Sequence, residues 1–93
     1  MVVGVLVWEL DVLGAHSLKD KRRVVKSMSE RMRNRFNAGV AETGHHDVWQ
    51  RAQLAACVVS TERGHADSML DAIDRFVAND ARVRILDTQR TLY

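Results

Sequence analysis

An alternation of strand-like and helix-like segments constrains the fold of this chain more than any other feature of its sequence. The run Val2–Val12 is rich in β-branched residues and too short for a membrane helix, so it predicts a strand. Side chains alternate along a strand, which places a different set on each face. One set consists of Leu6, Trp8, Leu10 and Val12, and the other of Val3, Val5, Val7, Glu9 and Asp11. We expect Trp8 and its set in the core.

The next segment has the periodicity of an amphipathic helix from about Leu18 to Phe36. Ser17 and Asp20 have the spacing of a capping box, in which a hydroxyl and a carboxylate satisfy amide donors at a helix start. One stripe of this helix is apolar and the opposite side is basic. The apolar stripe comprises Leu18, Val25, Met28, Met32 and Phe36, and the basic side Lys19, Arg22, Arg23, Lys26 and Arg33. The basic side is predicted to face solvent.

The second half of the chain repeats this pattern. Residues 38–43 occupy the place of a second strand, residues 44–47 are polar and loop-like, and Trp49–Ser60 predicts a third strand. A second amphipathic helix follows Gly64, and Val83–Leu92 predicts a final strand. The apolar stripe of the second helix consists of Ala66, Met69, Leu70, Ile73, Phe76 and Val77, with Asp67, Asp71 and Asp74 on its outer side.

The order strand, helix, strand, strand, helix, strand predicts an α+β fold of the ferredoxin-like kind. In that arrangement a four-stranded antiparallel sheet carries both helices on one face. A length of 93 residues with 46% apolar residues fits one domain spanning residues 1–93. The uncovered face is predicted to show Val3, Val5, Val7, Ala55, Cys57 and Val59. Because water penalises exposed apolar surface, we expect a homodimer formed through this face.

Positive charge is concentrated in residues 14–35, which hold eight of the fourteen basic residues against Asp20 and Glu30. The cations are Lys19, Lys21, Arg22, Arg23, Lys26, Arg31, Arg33 and Arg35. The rest of the chain is acidic, so the formal charge is only +2. Such separation is typical of a surface that binds phosphates.

The predicted site for nucleic acid or another anion begins at the start of the first helix and continues along its basic side. Helix amides and the positive end of the helix dipole favour an anion beside His16, Ser17 and Lys19. Arginines pair well with phosphates, so the exposed cations can follow a nucleic-acid backbone. The remaining members of the predicted site are Arg22, Arg23, Lys26 and Arg33.

The expected mode of RNA binding is recognition of shape and phosphate by the first helix. Trp8, Phe36, Trp49, Phe76 and Tyr93 are the only aromatic residues, so the open sheet face lacks a base-stacking platform. We expect Trp8 in the core, whereas Trp49, near a loop, can belong to the core or to a contact surface, of which the core is favoured. Further cationic contributors are Arg51, Arg82, Arg84 and Arg90.

Two alternatives to RNA binding stay open at this stage. The basic side can be an ordinary solvated surface, with Ser17 acting only as a cap. The chain can also be a homodimeric protein interaction module without nucleic-acid binding. In that second case Arg31 or Arg35 pairs with the aspartates of the second helix, and few cations remain for RNA.

The motifs of catalysis and cofactor binding are missing. The loop Leu13–Ser17 follows the first strand, where acylphosphatases hold phosphate, but it lacks their glycine-rich sequence ending in arginine. No Ser-His-Asp set, nucleotide-binding glycine loop or paired-acid motif occurs. His45, His46 and Asp47 are adjacent, yet a structural zinc site needs four ligands and commonly paired cysteines. We therefore expect no enzyme, no metal and no cofactor.

The N-terminal run and the cysteine content indicate the compartment. Residues 1–10 are apolar but lack a basic leader, and Glu9 interrupts them. Cys57 is the only cysteine, which excludes an internal disulfide, and its place in an apolar run predicts a buried thiol. We expect a cytoplasmic protein that does not bind a membrane.

The string Gly14-Ala15-His16-Ser17-Leu18-Lys19-Asp20-Lys21-Arg22-Arg23 is similar to the YlxP-like bacterial family. The resemblance extends over essentially the whole chain and includes Asn34–Asn37 and Trp49–Ala52. It implies a small ferredoxin-like protein without a characterised biochemical activity. Genes of this family often lie beside those for a translation initiation factor and ribosome-binding factor A. The resemblance thus implies a role in ribosome maturation or translation, with ribosomal RNA or a ribosomal subunit as the partner.

Overall fold

Two strand-helix-strand halves join in one antiparallel sheet in the computed structural model, which describes residues 1–93. The elements are β1 (Val2–Val12), α1 (Leu18–Phe36), β2 (Gly39–Gly44), β3 (Arg51–Ser60), α2 (Arg63–Ala78) and β4 (Val83–Leu92). The strands lie in the order β2-β3-β1-β4, and every neighbouring pair is antiparallel. Both helices cover the same sheet face, so the predicted ferredoxin-like fold is confirmed.

The element boundaries differ from the predicted ones mainly between β2 and β3. β1, α1 and β4 have the predicted bounds, whereas β3 begins at Arg51 rather than at Trp49. Residues between β2 and β3 form a turn in which His45 has a left-handed backbone with φ of 59°. Asn37, which caps the C-terminus of α1, also has a left-handed backbone with φ of 51°, a conformation that asparagine tolerates. Trp49 is therefore left outside the sheet.

The core lies between the sheet and the helices. Alternate residues of β1 are buried, and Leu6, Trp8 and Leu10 are fully enclosed. Gly4 permits close packing of α2, because a Cβ atom there would lie 2.9 Å from Leu70 Cδ1. Trp8 is in the core as predicted, and its Nε1 donates a hydrogen bond of 2.8 Å to Asp74 Oδ1. This bond satisfies a buried polar group that would otherwise destabilise the core.

The opposite sheet face is uncovered and divides into an aliphatic and a polar half. In the aliphatic half Val5 lies opposite Cys57 and Val3 opposite Val59, which is 63% exposed. The prediction of a buried thiol is wrong, since Cys57 is exposed on the face that no helix covers. In the polar half Glu9 accepts hydrogen bonds from Gln53 Nε2 at 2.6 Å and Arg51 Nη2 at 3.4 Å. Neither helix combines the length and the apolar composition needed to cross a bilayer.

Candidate nucleic-acid interface

The basic side of α1 forms a ridge of exposed cations on the outer surface of the helix layer. Every predicted site residue is exposed. Lys19, Arg22, Lys26 and Arg33 fall within about 60° of one another around the helix axis, and Arg23 flanks them. At 1.5 Å per residue the ridge is about 21 Å long. We call these five side chains the α1 ridge.

The charge of α1 is not neutralised within the fold. Its seven exposed cations, which are the α1 ridge together with Arg31 and Arg35, form no salt bridge with any carboxylate. Arg33 is positioned by a hydrogen bond of 2.7 Å from its Nη2 to the carbonyl oxygen of Val40 on β2. The positive charge of the ridge is therefore not compensated by any carboxylate of the fold.

The capping box predicted at the start of α1 is confirmed. Ser17 Oγ accepts a hydrogen bond of 3.0 Å from the Asp20 amide, and Asp20 Oδ2 accepts one of 3.1 Å from the His16 amide. The cap satisfies amides that an anion would otherwise use, and it places a carboxylate at the positive end of the helix. Charge for binding a phosphate at this end must therefore come from Lys19.

Trp49 lies beside the start of α1 and not in the core, so that prediction is wrong. Its side chain is 37% exposed, and its ring centre lies 6.3 Å from that of His16. The reason is the late start of β3, because Trp49 lies in the turn before Arg51 and not in the sheet. His16 and Trp49 thus form one exposed aromatic pair at the end of the α1 ridge.

Lys21 is the residue of the basic run whose role the sequence interpretation missed. It is fully buried, and its Nζ donates hydrogen bonds to the carbonyl oxygens of His45 at 2.6 Å and His46 at 3.1 Å. Nζ also lies 3.0 Å from Glu42 Oε2, an ionic contact that is not aligned as a hydrogen bond. Helical spacing was the available signal, because Lys21 fills the gap between Leu18 and Val25 in the apolar stripe.

The cations outside α1 that were predicted to assist RNA binding are engaged by carboxylates. Arg51 lies 3.4 Å from Glu9, Arg82 lies 2.7 Å from Asp80, and Arg84 lies 2.7 Å from Asp11. Arg90 contacts Asp67 at 2.7 Å and Asp71 at 2.8 Å. The strand register brings Arg51 and Arg84 to the carboxylates of β1, the turn before β4 brings Arg82 to Asp80, and the packing of β4 against α2 brings Arg90 to its aspartates. These four arginines are therefore less available to an anion than the exposed cations of α1.

Two carboxyl groups have perturbed pKa values because of these contacts. Hydrogen bonds from the Arg82 side chain hold the pKa of Asp80 below its ordinary value, although partial burial opposes the shift. The pKa of Glu9 is lowered first by the Gln53 hydrogen bond and then by His45, whose Nε2 lies 2.9 Å from Glu9 Oε2. Both groups therefore act as stable anions that compensate nearby cations.

The ion pairs between the basic and the acidic helix that the interaction-module alternative would use are not formed. Arg90 engages Asp67 and Asp71 from the β4 side, and Asp74 turns inward to Trp8. Arg31 and Arg35 face α2, but they meet a ring there instead of a carboxylate. The Arg31 Cζ lies 5.4 Å from the centre of the Phe76 ring, and the Arg35 Cζ lies 5.8 Å from it. The interaction-module alternative therefore lacks the intramolecular ion pairs that would have neutralised the cations of α1.

The histidines of the β2–β3 turn are used within the fold. His45 contacts Glu9 as described, and His46 Nε2 lies 3.1 Å from the Glu42 carbonyl oxygen. No group of three or more histidine, cysteine, aspartate and glutamate side chains is arranged to hold a metal ion.

Comparison with known proteins places this architecture in a family. Residues 3–90 match the family described as "Protein of unknown function (DUF503)". A relative from Bacillus subtilis (strain 168), "Uncharacterized protein YlxP", is 33% identical over 76 residues, which cover 82% of this chain and 83% of the relative. A de novo designed protein with ferredoxin fold is similar at a TM-score of 0.47 and 20% identity, covering 99% of this chain and 84% of the design. On its family match and its bacterial relative, the chain belongs to the DUF503 family, as the resemblance to YlxP-like proteins implied.

Proposed function

We propose that this protein is a non-enzymatic factor that binds RNA, in the form of ribosomal RNA or a ribosomal subunit, through the α1 ridge. The observation that carries the proposal is the set of exposed α1 cations that have no carboxylate partner. Four of the six other arginines contact a carboxylate, whereas none of the exposed α1 cations does, so uncompensated charge is densest on that helix. The proposed role near ribosome maturation or translation rests on the family resemblance, and we propose a cytoplasmic location because such a role would be carried out there.

The α1 ridge would recognise the phosphate backbone and the shape of the RNA rather than its bases. The open face of the two central strands carries Val3, Val5 and Val7 on β1 and Ala55, Cys57 and Val59 on β3, with no ring for a base to stack on. Arginine and lysine contacts to phosphate release counterions, so affinity falls as salt rises. We expect little sequence preference and a strong dependence on ionic strength.

The test measures binding to ribosomal subunits and to a structured ribosomal RNA fragment across a salt series. The test variant combines Arg22→Gln, Arg23→Gln and Lys26→Gln, which are exposed and unpaired positions. A matched control combines Thr61→Glu, Arg63→Gln and Ser68→Glu, which lowers the net charge equally at exposed positions away from α1. The test variant should bind more weakly, with a slope of log K against log salt smaller by about 2 to 3.

The control variant should retain most of the wild-type affinity and slope, and both variants should keep the wild-type circular dichroism spectrum. Equal losses in the two variants would show that only overall charge matters and would count against the α1 ridge. Absence of wild-type binding to either target at low salt would reject the proposal.

A homodimer through the open sheet face is the second part of this proposal. The face contains an apolar depression of about 270 Å³ whose lining includes Val5, Val40, Ala55 and Cys57. A second copy would remove this surface from water. Because the helices cover the opposite face, the dimer would present its two α1 ridges outward on either side.

Sedimentation velocity at micromolar concentration tests the dimer. The wild type should sediment as a dimer, Val5→Lys as a monomer, and the exposed α2 variant Ser68→Lys as a dimer. Thiol labelling supplies a second measurement, because Cys57 should react more slowly as the dimer forms. A wild-type monomer would reject this part, whereas a dimer without RNA binding would support the interaction-module alternative.

A further inference from the structure

A groove of about 370 Å³ lies between the C-terminal halves of α1 and α2, outside the α1 ridge. Its walls carry Arg31 and Arg35 from α1 and Arg75 from α2, and its apolar surface comes from Phe36 and Phe76. This volume lies within the range of pockets that bind small molecules. The groove thus combines aromatic surface and positive charge in one concave site.

The three arginines of the groove lie beyond salt-bridge distance of every carboxylate, although, after the Arg82 hydrogen bonds, the charge of Arg31 contributes to lowering the pKa of Asp80. Asp80 is the one carboxylate on the groove wall, and its oxygens accept hydrogen bonds of 2.7 and 3.0 Å from Arg82. The guanidinium groups therefore keep donors for an incoming anion, and their planar forks suit a phosphate.

Two aromatic rings and two guanidinium groups pack against one another in the groove. The Phe36 and Phe76 rings meet edge to face with centres 5.6 Å apart and an interplanar angle of 77°. The Arg35 Cζ lies 5.5 Å from the Phe36 ring centre, and Arg31 and Arg35 both lie over Phe76. Cation–π contacts hold these guanidinium groups near the rings. Aromatic rings and arginine planes are the surfaces on which unpaired RNA bases stack.

We infer that this groove binds one unpaired nucleotide, with its phosphate on the arginines and its base against the arginine and phenylalanine planes. The combination of planar apolar surface and uncompensated charge favours a ligand that is both aromatic and anionic, whereas an acidic peptide supplies only the charge. The inference rests on the proposed function in taking that nucleotide from the RNA held by the α1 ridge. It adds a preference for RNA in which an unpaired segment adjoins a duplex.

The test compares two RNA hairpins that differ only in a short unpaired 3′ tail. Wild-type protein should bind the tailed hairpin about tenfold more tightly than the blunt hairpin, as expected for stacking of one base. Arg75→Gln and Phe76→Leu should each remove most of this tail effect without changing affinity for the blunt hairpin. Arg63→Gln, an exposed and unpaired α2 cation outside the groove, should retain the tail effect.

A second measurement uses adenosine 5′-monophosphate and amide NMR shifts of the labelled protein. The nucleotide should shift the amide signals of residues 75, 76 and 79 in the wild type and in the variant that combines Arg22→Gln, Arg23→Gln and Lys26→Gln. It should leave the amide signals of these positions unshifted in Arg75→Gln. Because Arg75 is exposed and unpaired, that variant carries the test even if Phe76→Leu fails to fold.

The outcomes separate the two proposals. Equal binding of both hairpins, with no nucleotide shifts in the groove, would overturn the groove and leave RNA binding by the α1 ridge standing. Nucleotide shifts at the groove without hairpin binding would support a nucleotide site and reject the proposed RNA function. Tail effects that survive both groove substitutions would overturn the groove as the site of the unpaired nucleotide.

Discussion

The basic residues of the strands contact carboxylates, whereas the exposed basic residues of α1 do not. Arg51, Arg84 and Arg90 on β3 and β4 each meet a carboxylate within 3.4 Å, whereas the exposed cations of α1 meet none. Strand arginines and Trp8 engage five of the carboxylates, and none of the remaining carboxylates contacts an exposed cation of α1. The difference shows that a balanced net charge can hide a surface of one sign, because compensation depends on which groups the fold brings together.

A second contrast exists within α1, between the neighbours Lys21 and Arg22. Lys21 is fully buried against Glu42 and two turn carbonyls, while Arg22 is exposed and has no partner. One residue step rotates a helical side chain by about 100°, which is enough to move it from the core to solvent. The first cation therefore stabilises the fold, and the second is available for binding.

Replacing Lys21 should have the largest effect on stability and would sharpen this contrast. Lys21→Met leaves the Glu42 carboxylate and the His45 and His46 carbonyls without their donor. We expect a loss of about 3 kcal/mol in the free energy of unfolding, as for breaking a buried ion pair. Urea denaturation monitored by tryptophan fluorescence measures it.

Two further variants define the origin of that loss. Lys26→Met on the exposed side of α1 should change the free energy by less than about 0.5 kcal/mol. Adding Glu42→Gln to Lys21→Met should recover part of the stability, because no unpaired carboxylate then remains. Similar stability of Lys21→Met and Lys26→Met would show that the two cations do not differ as proposed.

Acid should lower the stability of the folded protein partly through the Asp80–Arg82 pair. The pKa of Asp80 is lowered in the folded protein from an ordinary value of 3.8, mainly by Arg82 hydrogen bonds. Its stabilising contribution is complete above the ordinary value and is lost as the pH falls through the lowered pKa. Arg82→Gln should cost about 1 kcal/mol at pH 7 and flatten the dependence of stability on pH below 4.

Thermal unfolding between pH 2.5 and 7 measures this dependence, with Arg22→Gln as the unpaired control. The control should retain the wild-type pH profile, since Arg22 contacts no carboxylate. An unchanged acid profile in Arg82→Gln would contradict the assignment of this contribution to the Asp80 pair.

The smallest effect is expected at the exposed strand pair. Arg84 lies 2.7 Å from Asp11, but its side chain is 65% exposed, so solvent screens the interaction. Arg84→Gln should lower the free energy of unfolding by no more than about 0.5 kcal/mol, and the loss should fall further in high salt. A loss above 1 kcal/mol that is insensitive to salt would show that the pair is more important than its exposure indicates.

Much of the fold could be predicted because local periodicity and burial agree along most of the chain. The strand period of two separates Trp8 from Val7, and the helical period separates Met28 from Lys26. The capping pair Ser17 and Asp20 is also local, so its spacing was sufficient. The boundary that was missed, at the start of β3, lies where Trp49 and Gln50 form a turn that lengthens the predicted loop instead of extending the strand.

The candidate site was less predictable, since its chemistry depends on partners distant in sequence. The basic side of α1 follows from helical spacing alone, but the lack of competing carboxylates does not. Arg90 meets Asp67 and Asp71 only after β4 pairs with β1 beneath α2. The groove between Phe36 and Phe76 likewise brings together residues that are forty positions apart in the chain.

Local patterns specified the elements, their buried stripes and the side of α1 that carries positive charge, because each depends on spacings of two to four residues. Packing between distant elements assigned the charges to their partners and buried Lys21. It also exposed Trp49 and Cys57 and left the α1 ridge unpaired. The physical reason is that a charge or an apolar group acts on whatever lies within a few ångströms, and the neighbours of a side chain are determined by tertiary contacts rather than by sequence distance.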